Sequence, residues 1–441
     1  MISPRRRADI LDALRRGTVP RSGLDVLAVG LGGFESVFEE ELARVRTGAT
    51  GFKAVRGEYG SGKTFFGRWL QERAQRLGFA TTEVQVSETE TPLHQLGTVY
   101  RRLVERLSTS EVPSSAFRSI LDGWFFALEQ DVLAEGTLRA DDHEGVLEAT
   151  AALMERRLTG ISSTAPAFAA ALRGYRRALA DGETEMAEGL IAWLAGQPNV
   201  AAKVKRYAFV KGEVDHFTAM AFLQGLLVVL RDSGFAGLVF VLDEVETLQR
   251  MRGDVRDKAL NALRQLIDEV DSGRFPGLYL VITGTPAFFD GPMGAHRLAP
   301  LAQRLHVDFS GESRFDNPRA VQVRLQGFSR ALLEEVGRKV RDLYAEGAEG
   351  ADARNRVLAL ADDAYVGRLA SAVTGELGGK VGVVPRLFLK KLVAEVLDRI
   401  DQFADFDPRK DYRLTVAEAE LTRQERSARA ARDPDEIELP A

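Results

Sequence analysis

Eight consecutive residues, Gly57-Glu58-Tyr59-Gly60-Ser61-Gly62-Lys63-Thr64, place glycines, a lysine and a hydroxyl at the spacing of a phosphate-binding loop. Glycines let the backbone curl so that successive N–H groups point inward at an anion. Phe65 to Leu77 reads as a helix whose N-terminus adds partial positive charge at the same place. The chemistry is that of a triphosphate. Lys63 is expected to reach the β- and γ-phosphates, and the Thr64 hydroxyl to hold Mg²⁺. The expected nucleotide contacts are Gly57, Glu58, Tyr59, Gly60, Ser61, Gly62, Lys63, Thr64 and Phe65.

A second constellation lies far along the chain. Leu238-Val239-Phe240-Val241-Leu242 is an apolar run suited to a strand buried on both faces, and it ends in Asp243-Glu244. Strand ends in open α/β sheets are where ligands bind. Asp243 is expected to hold Mg²⁺ with Thr64, and Glu244 to orient and deprotonate the attacking water. Neighbouring side chains at a strand end point different ways, so one carboxylate can face the metal and the other the γ-phosphate. Thr283, ending the apolar run Leu278–Ile282, is either a sensor of the γ-phosphate or water, or a strand-ending turn residue. Arg304, with Arg297 as runner-up, is a candidate finger for a neighbouring subunit, and a surface arginine is the plain alternative. Arg386, after Val383-Val384-Pro385, opens a helix. It either reaches back to the γ-phosphate or forms an ordinary helix salt bridge.

These residues need a parallel sheet to hold them. Phe52–Arg56 supplies the strand before the loop, and Phe79–Val86 a second one by its β-branched content. Residues 108–215 turn Ala-, Leu- and Arg-rich, with breaks at Gly136, Gly160–Ser163, Gly182 and Gln197–Asn199, which predicts a helical insertion. The segment 4–17 reads as a short basic helix whose arginines either touch phosphate or an acidic partner, or form a solvated face. Residues 18–33 read as a loop leading into a helix at 34–46. From Asn317 onward the periodicity predicts helices at about 318–345, 352–374 and 385–402. The tail is charged, and fraying is expected after residue 425. The organisation expected is 1–50 N-terminal helices and adenine-side segment, 51–107 and 216–315 core, 108–215 insertion, 316–414 helical lid, and 415–441 tail.

The 441 residues carry a net charge of −5, so the chain as a whole is not a basic nucleic-acid binder, although a local basic surface is compatible with it. There is no cysteine, which excludes disulfides, cysteine nucleophiles and thiolate metal sites. The five histidines lack metal-ligand spacing. No apolar run of about 18 residues exists, so no membrane span is expected. Basic residues at the start precede no apolar stretch, so no secretory signal is expected, and a cytoplasmic location is.

Gly57–Thr64, Leu238–Glu244, Thr283 and the Pro385-Arg386 helix start together resemble the AAA+ superfamily, in an order similar to the Orc/Cdc6-like and STAND-related branch. Val19-Pro20, the Gly60–Phe66 run, Leu242-Asp243-Glu244-Val245-Glu246 and Asp407-Pro408-Arg409 resemble the ATP-binding D proteins (BrxD) of BREX phage-resistance systems. The resemblance implies an α/β, parallel-sheet P-loop NTPase core with a C-terminal helical lid. It implies a Mg²⁺-dependent ATPase acting as a homo-oligomer, or in a complex with a helicase or other defence proteins. DNA contact would be indirect or non-specific: the branch usually carries a winged helix, and too few residues follow the lid to make one. The same motifs suit a slow-turnover, nucleotide-gated switch or scaffold.

Overall fold

The computed structural model describes residues 2–135, 142–376, 385–421 and 425–426. The expected break at Gly136, Val383-Val384 before the Arg386 helix, and the end of the charged tail lie outside the described residues. Five strands form one parallel sheet: β1 (Gly51–Arg56), β2 (Ala80–Gln85), β3 (Leu238–Asp243), β4 (Leu278–Gly284) and β5 (Gln322–Arg324), in the order β2-β3-β4-β1-β5. In register, Val55 of β1 faces Thr283 of β4, and Gln85 of β2 faces Asp243 of β3. All C-terminal ends therefore share one edge, and β3 and β1 flank β4 there. Every residue of β3 and β4 is buried, as their apolar runs require of strands covered on both faces.

The helices fall into layers. On one face, Val55, Val239, Val241 and Val281 pack with Phe38 of α2 (Gly32–Arg46) and Phe66 and Trp69 of α3 (Lys63–Arg76); α1 (Pro4–Arg15) packs elsewhere. The other face meets α4 (Leu96–Glu105), then the insertion helices α5 (Phe117–Ala134), α6 (His143–Thr164), α7 (Pro166–Ala180), α8 (Thr184–Leu194) and α9 (Ala202–Tyr207), through α10 (Ala219–Asp232). The insertion is not a body with its own core. Phe222 of α10 is a hub, with ring centroids 5.7 Å from Tyr100, 5.3 Å from Phe168 and 5.4 Å from Trp193. Gly225 lets α7 approach α10, since a Cβ there would lie 2.6 Å from the Phe168 ring. The same apolar cluster extends to α11 (Gly253–Asp271), α12 (Pro286–Asp290) and α13 (Ala299–Leu305).

The remaining helices, α14 (Arg330–Ala345), α15 (Ala351–Leu360), α16 (Asp363–Glu376), α17 (Pro385–Lys390) and α18 (Asp398–Gln402), form a separate apolar cluster, with a π-helical stretch Lys391–Leu397 joining the last two. Ile10, Leu11 and Leu14 of α1 belong to it, and Arg15 binds both carboxylate oxygens of Asp398 at 2.8 Å. Two expectations are corrected. The single helix expected over 352–374 is two, α15 and α16, broken at Ala361-Asp362, where the Asp362 side chain accepts the Tyr365 N–H that starts the second helix. The helix predicted over 318–345 begins only at Arg330, capped by the Ser329 side chain. The residues before it form β5, hydrogen-bonded to β1 with Leu325 N–H on Arg56 O at 2.8 Å. Three residues of strand were outweighed by the long helical periodicity that follows them.

Candidate nucleotide site

The loop between β1 and α3 takes its shape from its glycines. Gly60 and Gly62 sit at φ +80° and +90°, a left-handed backbone that side-chain-bearing residues rarely adopt. A Cβ on Gly57 would come within 2.3 Å of the Ser61 hydroxyl. Gly62 is the N-cap of α3, and no side chain caps that helix, so its first N–H groups are left for an anion. The Ser61 hydroxyl is buried without a hydrogen-bond partner among the described residues. An uncapped helix start, a cradle that a Cβ would fill and an orphaned hydroxyl together fit a bound phosphate.

Lys63 lies buried under the loop. Its Nζ donates to Gly57 O at 2.9 Å, stands 3.6 Å from Glu246 and lies 5.0 Å from the centre of the Tyr59 ring. The strand order brings the distant acidic pair to it. Thr64 Oγ1 donates to Asp243 Oδ2 at 2.9 Å, across 179 residues of sequence. Thr283 donates to the other Asp243 oxygen and accepts the Glu244 amide N–H at 3.2 Å. Thr283 thus fixes the Asp243 carboxylate and the backbone that carries Glu244. Glu244 itself takes a left-handed backbone, φ +60°, uncommon for a residue with a side chain. Its carboxylate accepts from Gln85 Nε2 at 2.7 Å.

Two of these residues escaped the sequence reading. Gln85 gains its place only from the β2–β3 register. Glu246 follows Glu244 by two positions and turns inward, only 5% exposed, with Oε2 unpartnered among the described residues. Burial raises its pKa; Lys63 opposes that, and Glu244 and Asp243 add to it. The second acidic residue in Asp-Glu-Val-Glu was the available signal.

A cleft of about 350 Å³ runs from this loop to the C-terminal helices. Its walls include Phe65, Val19, Leu31, Phe328 and Leu389, apolar surface suited to a flat ring, while Lys63, Thr64, Glu244 and Glu246 line its polar part. Arg386 also lines it, but its guanidinium is engaged: Nε donates to Glu425 at 3.0 Å, and a second nitrogen to Glu425 and to Glu420 O. Glu425 is almost fully buried. Arg304 and Arg297 do not line the cleft. Arg304 pairs with Asp268 and Arg297 with Asp257, both on α11.

With this geometry in place, the family model of the BREX system ATP-binding protein BrxC/D matches residues 2–416, nearly the whole chain. The chain belongs to that family. No curated protein and no solved structure matches it. Membership makes it an ATP-binding protein of a BREX system. In this chain the Gly57–Thr64 loop and the Asp243 carboxylate meet at one mouth of the sheet, through the Thr64–Asp243 hydrogen bond. Among the described residues no helix is long and apolar enough to cross a membrane. Nor does any cluster of three or more acidic or histidine side chains make a metal cage there. Mg²⁺ needs none. It keeps waters and substrate phosphates and takes few protein oxygens, and the Thr64 hydroxyl beside the Asp243 carboxylate has the donor chemistry to fit it.

Proposed function

We propose that the protein binds Mg²⁺-ATP in this cleft and hydrolyses it, coupling turnover to a DNA-acting partner of the BREX system such as a helicase. The observation that carries this is the 2.9 Å contact between Thr64 Oγ1 and Asp243 Oδ2. A loop that binds phosphate and a strand end that binds metal converge on one point. Thr64 and Asp243 would hold Mg²⁺, which supplies charge neutralisation for the phosphates when bound. Lys63 exchanges Glu246 and the Gly57 carbonyl for phosphate oxygens. Glu244 serves as the base for the attacking water, held by the Thr283-fixed backbone and restrained by Gln85. Arg386 is the candidate for reading the γ-phosphate from the helical side.

A second reading has its own support. Lys63, Glu244 and Arg386 are each held by another protein group: Glu246, Gln85 and Glu425. Such a site suits a switch that stays idle until a partner rearranges it. Both readings are tested by Glu244→Gln and Lys63→Ala. Glu244→Gln should retain ATP and turn over at least about a hundredfold more slowly, the lower bound expected for loss of a general base. Lys63→Ala should lose binding of a fluorescent nucleotide. Wild-type turnover by Glu244→Gln would remove Glu244 as the base. Negligible wild-type turnover with ATP-dependent assembly would select the switch.

A further inference from the structure

The end of α9 has a composition found nowhere in the nucleotide cleft. Residues 201–212, Ala-Ala-Lys-Val-Lys-Arg-Tyr-Ala-Phe-Val-Lys-Gly, hold four basic side chains and no acidic one, in a chain of net charge −5. The helix closes in a six-residue turn. Val210 N–H donates to Lys205 O at 2.9 Å and Phe209 N–H to Arg206 O at 3.1 Å. That pattern places a left-handed residue after the helix, a position where glycine is the usual occupant. Here it is Phe209, at φ +56° and 84% exposed. A bulky side chain in that backbone is an outlier, and this one gains almost no burial to offset it. Strain kept without packing gain is a mark of functional surfaces.

The surroundings name a ligand. The Arg177 guanidinium on α7 lies 4.3 Å from the centre of the Tyr207 ring and 6.0 Å from that of Phe209, and donates to Tyr207 O. Arg206 and Lys211 are exposed, and with Lys205 they make no ion pair among the described residues. Lys203 pairs with an exposed Glu185. A free ring face among uncommitted cations suits a chain of phosphates with unpaired bases. A duplex presents its phosphates but no base face to stack on this ring. An acidic peptide would use the cations and leave the strained ring without a purpose.

We propose that the turn after α9 binds single-stranded nucleic acid, with Phe209 as the stacking platform and Arg206 and Lys211 as phosphate contacts. This does not rest on the ATPase reading, and it gives the insertion a task. The test is fluorescence anisotropy of the full-length protein with labelled oligothymidylate and oligouridylate of about 15 nucleotides, spanning the site sizes typical of single-strand grooves, without ATP. Binding should weaken with salt. Phe209→Gly, which suits the turn, and Phe209→Leu, which keeps apolar bulk, should each weaken binding about tenfold. Phe209→Gly should not lower the melting temperature. Arg206→Ser and Lys211→Ser should each reduce the salt slope by about 0.7, the value for one phosphate contact on a single strand. Lys63→Ala should bind the oligonucleotides as wild type does, which separates this outcome from failure of the nucleotide site. Absence of binding at low salt, unchanged affinity in Phe209→Gly, or equal binding of a duplex or polyglutamate with the same Phe209 dependence would overturn the proposal.

Discussion

Glu246 shows what one residue can report about the nucleotide site. Burial lifts its pKa above the ordinary glutamate range, so the folded chain holds its proton more tightly than the unfolded chain does. The consequent loss of stability begins as pH rises past the unfolded value and is complete above the folded one. Glu246→Gln removes that loss. The nucleotide-free variant should melt above wild type at about pH 8, and the difference should close towards about pH 4. Melting curves across that range check it, and a gap independent of pH would refute the burial argument. Motifs written in contiguous residues are legible in the sequence. Gly57–Thr64 and Asp243-Glu244 stand out by residue type and spacing, and the fold brings Thr64 and Asp243 into contact. Gln85 and Glu246 were not legible, because each acquires its partner by strand register or by the turn of a backbone.

Among the elements, a buried ion pair ties α2 to β1 and β4. Lys53 of β1 donates to Glu41 of α2 at 2.7 Å and to Ala320 O, just before β5, at 2.8 Å, while Tyr279 of β4 donates to the other Glu41 oxygen. Removing one partner leaves an uncompensated buried charge. Glu41→Ala should cost about 3–5 kcal/mol of stability, read by urea unfolding. A loss below about 1 kcal/mol, the size of a surface pair, would mean that the pair is solvated. The last described residues form a second tie, with Glu425 on Arg386 and Glu420 on Lys390 and Lys391. If Arg386 reads the γ-phosphate, Glu425→Gln should raise ATP affinity several-fold and leave ADP affinity unchanged, in a displacement assay with both nucleotides. Equal gains for the two would place Arg386 away from the γ-phosphate. The β5 strand marks where element reading failed. Val321, Val323 and Leu325 do alternate, but so short a run beside a strong helical stripe is decided by pairing with β1, which lies far away in sequence.

For the whole molecule, composition announced a helical insertion and the structure adds how it is held. Its aromatic side chains pack on Phe222 of α10, in the same apolar cluster that backs one sheet face, so it cannot be removed without opening that core. Trp124 donates its indole N–H to Asp232 at the end of α10, a link no local pattern reveals. Arg304 belongs to this scale, because a finger would act only on a neighbouring subunit's nucleotide. If Arg304 is such a finger, Arg304→Ala should bind ATP normally yet lose most turnover. Mixing it with Lys63→Ala protein should restore part of the rate, since one copy supplies the arginine and the other the intact loop. Two inactive pools that stay inactive when mixed would leave Arg304 as a plain surface residue.

The seating of α1 among the C-terminal helices has a consequence during synthesis. Ile10, Leu11 and Leu14 leave the ribosome ahead of the sheet and the insertion, yet the helices that cover them emerge after both have been made. Until then a sticky, arginine-flanked segment must wait uncovered. The C-terminal helices therefore retrieve α1, and the apolar wall of the cleft between them is finished only at that moment. A nascent chain stalled before α14 should accordingly be a client for chaperones and not yet a binder of ATP.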